Sequence, residues 1–126
     1  QVRLFEWARL QAAAQPELRL LYAIPNGGAR HKAVAGKLKA EGVKRGVPDV
    51  CLPVARGRFH GLYVEMKRQK GGTVSDDQKR WHTDLRAEGY EVVVAKGWEA
   101  ARQSILGYLA LPLALSGSVP APAVSP

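Results

Sequence analysis

Val47-Pro48-Asp49-Val50-Cys51-Leu52, a glycine-broken turn, and then Leu62-Tyr63-Val64-Glu65-Met66-Lys67 decide how this chain folds. Side chains alternate between the faces of a strand, so Glu65 and Lys67 share one face while Val64 and Met66 occupy the other. A strand Asp49 to Val54, turned at Arg56-Gly57-Arg58, would run antiparallel to Phe59 to Lys67 and bring Asp49 beside Glu65 and Lys67. Burying such charges costs free energy unless they are paired or hold a metal. Two carboxylates supply the hard oxygen ligands that Mg²⁺ or Mn²⁺ takes, with substrate phosphate and water completing the shell. A lysine beside them can orient or help deprotonate a water and offset phosphate charge. The competing reading is a surface salt bridge between Glu65 and Lys67, which would contribute little energy.

Pro48-Asp49 at hairpin distance from Glu65-Met66-Lys67 resembles the PD-(D/E)XK nuclease signature. With Ile24-Pro25-Asn26-Gly27-Gly28-Ala29-Arg30, Gly46-Val47-Pro48-Asp49, Gln78 to Trp81 and Gly89-Tyr90 to Val94, the chain is similar to the VRR-NUC branch of that superfamily, in its small stand-alone form. The likeness spans Gln1 to Leu111. It implies an α/β, restriction-endonuclease-like αβββαβ core, a mixed sheet flanked by helices. It also implies divalent-metal-dependent DNA cleavage and, for stand-alone members, homodimers acting on branched DNA such as four-way (Holliday) junctions. Asp49, Glu65 and the backbone carbonyl of Met66 are the expected ligands of Mg²⁺ or Mn²⁺, with Lys67 and Gln78 handling the water. A first-helix glutamate often completes such a site. In resembling sequences it precedes a glutamine like Gln1, outside the residues here, which leaves Glu6 as a ligand or as part of a solvated helix face.

Composition agrees. The chain has 126 residues, 46% of them hydrophobic, which suits one domain with its own core. A formal net charge of +8 favours a polyanionic partner, DNA above all. Cys51 is the only cysteine, so neither an intrachain disulfide nor a cysteine-rich zinc site can form, as suits a reducing cytoplasm. No apolar run approaches the roughly 20 residues of a membrane helix. The chain opens on Gln1 rather than methionine, as a trimmed or partial sequence would.

Along the chain, a helix is expected at Val2 to Ala14, a strand at Leu20 to Ile24, and a basic helix at Arg30 to Glu41 with Ala33, Val34 and Leu38 inward. Ser75-Asp76-Asp77-Gln78 reads as a capping box opening a helix that Gly89 closes. A strand Glu91 to Ala95 and a helix Trp98 to Leu109 follow. The Pro/Ala/Ser-rich stretch from Pro112 to Pro126 reads as a linker or arm, and Leu109 to Leu115 as an exposed apolar dimer surface. Gln78 has two readings. As the third helical residue it can return a hydrogen bond to Ser75, and on the Trp81/Leu85 face it can reach the sheet and the proposed site.

Arg30, Lys32, Lys37, Lys39, Lys44 and Arg45 concentrate positive charge just before Asp49 and are the expected phosphate contacts. Asn26 suits turn chemistry and, by the motif, contact with the site or DNA. Gly27-Gly28 and Gly71-Gly72 fit no phosphate-loop frame and read as turns. His31, His60 and His82 lack metal-ligand spacing and receive no role. No G-x-S-x-G elbow occurs, and Cys51 in an apolar strand makes a poor nucleophile. Beside a nuclease stand two alternatives: a catalytically silent nucleic-acid-binding module on the same fold, and a structural basic protein with a chance Glu-x-Lys.

Overall fold

The computed structural model describes residues 1–25 and 32–113. In order these form α1 (Val2–Gln11), a 3-10 helix (Pro16–Leu20), β1 (Tyr22–Ala23), α2 (Lys32–Ala40), β2 (Val50–Leu52), β3 (Leu62–Lys67), α3 (Asp76–Ala87), β4 (Glu91–Lys96) and α4 (Trp98–Leu109). The sheet runs β1-β2-β3-β4, antiparallel across the first two junctions and parallel across the last. A parallel neighbour requires a crossover, and α3 supplies it. The order is the expected αβββαβ core with α2 inserted and α4 appended.

One sheet face is closed by apolar packing. Leu4 and Ala8 of α1 and Ala101, Ile105, Tyr108 and Leu109 of α4 join Val50, Leu52, Leu62 and Val64 in a single core cluster. Tyr108 secures the contact by donating its hydroxyl to the carbonyl of Val54 at 2.6 Å. At the hairpin end, buried Arg56 is tied to Glu17 of the 3-10 helix at 2.6 Å, and Arg56 pairs with Phe59 across the turn.

Several expectations need correction. The helix expected to reach Ala14 ends at Gln11. The strand expected from Leu20 to Ile24 is a 3-10 helix through Leu20 and a two-residue strand after it. Pro16 pre-sets helical φ at its first position, and the tight turn buries Leu18 and Leu21 while leaving Leu20 outside, which an extended chain could not do. In α2, Val34 does not face inward: it is 46% exposed. Leu109 and Leu111 are not a free surface, since the first is core and the second packs on it; Leu113 is exposed and Leu115 lies outside the described residues, as does the arm from residue 114.

Candidate active site

The opposite sheet face, under α3, is polar. Val50 pairs with Val64, so the next pair outward is Asp49 with Glu65, from adjacent strands. Asp49 is pinned by the backbone N–H of Met66, which donates to Oδ2 at 2.7 Å. The turn leading to Asp49 is held close to α3: Gly46 has φ +91°, and a Cβ there would lie 2.7 Å from the backbone of Asp77. Only glycine fits both constraints.

Glu65 is 1% exposed, which removes the surface salt-bridge reading. Burial, then hydrogen bonding to Asp49 and the charge of Asp49, push its pKa from the usual 4.5 up to about 8, against the opposing pull of Lys67. Without a cation, Glu65 therefore keeps a proton beside Asp49 to higher pH than an ordinary carboxylate does.

Both readings of Gln78 are realised at once. Ser75 Oγ accepts from the Gln78 backbone N–H at 3.2 Å, and Ser75 N–H donates to Gln78 Oε1 at 2.9 Å, completing the capping box. The same Oε1 accepts from Lys67 Nζ at 2.8 Å, while Nε2 donates to Glu65 Oε2 at 3.1 Å. One amide thus joins the lysine to the carboxylate. Gly72 sits against the root of Lys67, where a Cβ would come within 2.9 Å of the lysine Cβ.

The inward stripe of α3 differs from the one expected. Trp81 and Leu85 are only partly covered; the buried residue is His82, at 4% exposure. Its Nε2 lies 3.2 Å from Glu65 Oε1. Burial first, then the charges of Arg86 and Lys67, lower its pKa, which favours the neutral ring. Spacing among the three histidines gave no sign of this contact. The informative spacing was four residues from Gln78, one helical turn, which places both side chains over the same strand.

The structure thus gathers Asp49, Glu65, the Met66 backbone, Lys67 and Gln78, and adds His82. Glu6 is exposed on α1, and among the described residues no hydrogen bond joins it to this cluster. Lys37, Lys39, Lys44 and Arg45 are exposed, and Lys32 opens α2. Asn26 and Arg30 lie outside the described residues. Cys51 is buried with its thiol pKa pushed up by desolvation, the reverse of what a nucleophile needs.

Among the described residues, no three His, Cys, Asp or Glu side chains are grouped so as to hold a metal ion. Two crowded carboxylates, one of them buried and raised in pKa, nevertheless suit Mg²⁺ or Mn²⁺, which needs one or two carboxylates and keeps several waters. Among the described residues no helix is long and apolar enough to cross a membrane.

A mixed four-stranded sheet flanked by helices, with Asp and Glu-x-Lys on adjacent strands, defines the class as a restriction-endonuclease-like α/β fold. The VRR-NUC domain profile matches residues 6–99. A solved structure described as a VRR_NUC domain protein superimposes with a TM-score of 0.76 at 32% identity, covering 90% of this chain and 87% of that one. No curated protein matches. The chain belongs to the VRR-NUC domain family and is a nuclease-type domain.

Proposed function

We propose that this chain is a Mg²⁺- or Mn²⁺-dependent DNA endonuclease, and the observation that carries the reading is the buried Glu65 beside Asp49, linked through Gln78 to Lys67. Asp49 and Glu65 would hold the ion, with the Met66 carbonyl as a further ligand. When bound, the ion supplies Lewis-acid activation of phosphate and a more acidic water. Lys67, donating to Gln78 Oε1, offsets charge on the phosphate and orients the attacking water by donating a further N–H to the water oxygen. Lys37, Lys39, Lys44 and Arg45, exposed on the chain leading to Asp49, contact the DNA backbone. Glu6 on α1 gains no support from geometry, and Asp49 and Glu65 suffice for this ion.

One site cuts one strand, so paired cuts in a branched junction require two sites related by a two-fold axis. We therefore extend the reading to a homodimer acting on branched DNA. The test is cleavage of single-strand, duplex, flap and four-way-junction DNA after chelation. Mg²⁺ or Mn²⁺ should restore cutting, whereas Ca²⁺ should support binding without it. Full activity in EDTA overturns the mechanism, and binding without cutting under every condition favours a silent DNA-binding module.

A further inference from the structure

His82 is a buried polar side chain that the nuclease chemistry does not require, yet its ring is aimed at the carboxylate on which that chemistry depends. It is 4% exposed and Glu65 is 1% exposed, so neither has water as an alternative partner. A core position of this kind on a helix facing a sheet would ordinarily be leucine or phenylalanine. Instead the two oxygens of Glu65 are taken separately by the same helix face: Gln78 Nε2 donates to Oε2 at 3.1 Å, and His82 Nε2 meets Oε1 at 3.2 Å.

We propose that His82 is a positioning residue for the metal site, donating its Nε2–H to Glu65 Oε1 so that the carboxylate cannot rotate about its terminal torsion. That torsion is soft in glutamate, with broad, roughly two-fold wells; the hydrogen bond to Asp49 needs the proton that a cation would displace, so in a loaded site the contact at Oε2 alone would leave the plane of the group free to swing. Two donors one helical turn apart fix it. Each carboxylate oxygen has two acceptor positions, so both bonds persist while a cation binds. Polar partners of this kind orient a ligating group before the metal arrives, and losing one typically costs 10- to 100-fold in metal affinity.

This inference rests on the metal-dependent reading above, and the experiment separates the two. Mn²⁺ binding to the full chain is measured by calorimetry, with cleavage followed against Mn²⁺ concentration and thermal unfolding recorded alongside. His82→Leu should weaken Mn²⁺ binding about 10- to 100-fold and shift the Mn²⁺ dependence of cleavage by the same factor, with the rate at saturating Mn²⁺ largely recovered. His82→Gln, which retains a donor at a similar reach, should restore most of the affinity. His82→Asn, one methylene shorter, should not, and this pair decides the matter if the leucine variant fails to fold. Leucine or asparagine variants that bind Mn²⁺ like the parent while melting lower would make His82 a structural residue only and overturn the proposal. If the parent itself binds no Mn²⁺, or binds it identically after Asp49→Asn, the metal reading falls and the inference falls with it. If the parent binds and cuts while the His82 variants match it, only the inference is lost.

Discussion

Helices α3 and α4 make opposite kinds of contact with this sheet. Helix α4 buries Ala101, Ile105, Tyr108 and Leu109, and a single hydroxyl of the four finds a polar partner. Helix α3 buries only His82, and its inner stripe meets the sheet through Gln78 and His82 hydrogen bonds to Glu65 and Lys67. Burying apolar area drives folding without directional demands, whereas a buried polar cluster is costly unless every member is satisfied. Apolar packing and the polar cluster thereby occupy different faces of one sheet.

The sharpest way to break that division is to alter the polar face alone. Asp49→Asn and Lys67→Ala should each cut cleavage on the order of 10²- to 10³-fold, the scale seen when a transition-state-stabilising group is removed, while DNA binding by gel shift is kept. Parent-like cutting by either variant removes that residue from the chemistry. The reciprocal variant is Ile105→Ala, fully buried in the apolar face. It should lower unfolding free energy by about 2–5 kcal/mol and leave cleavage below its melting temperature close to that of the parent. A proportionate loss of cleavage would show that the faces are coupled.

A smaller effect sharpens the comparison through pH. Glu65 titrates near 4.5 when unfolded and at about 8 in the folded chain, so the folded state binds its proton more tightly. That contribution to stability is fully present below pH 4.5 and is lost as pH rises through about 8. The metal-free parent should therefore lose several degrees of melting temperature relative to Glu65→Gln between roughly pH 5 and 8.5. His82, with its lowered pKa, acts in the opposite sense: its contribution is present above 6.5 and declines on acidification. Comparison with the glutamine variant isolates the Glu65 part. Mg²⁺ should reverse the loss at high pH, because the cation takes the place of the proton. A flat difference between parent and variant would mean that Glu65 is not held protonated.

Much of this division was legible in the sequence. Alternation along Leu62–Lys67 and a glycine turn were enough to put Asp49 beside Glu65, because a two-residue period leaves few registers. The capping box of α3 was equally plain, since its signature is local. What escaped depended on tertiary packing. Leu20 looked like the start of a strand until Pro16 and the burial of Leu18 and Leu21 made a 3-10 turn the better solution. Trp81 and Leu85 looked like the inner face of α3 because they are apolar, but the sheet beneath offers Glu65, and a carboxylate selects donors. Histidine spacing says nothing of His82, because its partner is a carboxylate on another element. Val34 failed for a simpler reason: among the side chains described in α2, none belongs to the core cluster, so nothing decides which side faces inward.

Gln78 occupies the third position of α3, where helices begin to fray. Its Oε1 receives both the Ser75 amide and the Lys67 ammonium, so unwinding the first turn and releasing the lysine are a single event. On the nuclease reading proposed above, the fraction of time for which Lys67 is held ready is therefore bounded by the opening equilibrium of one helix terminus. Amide exchange at Gln78, whose N–H is held by Ser75 Oγ, reads that opening free energy, in the absence of DNA or metal.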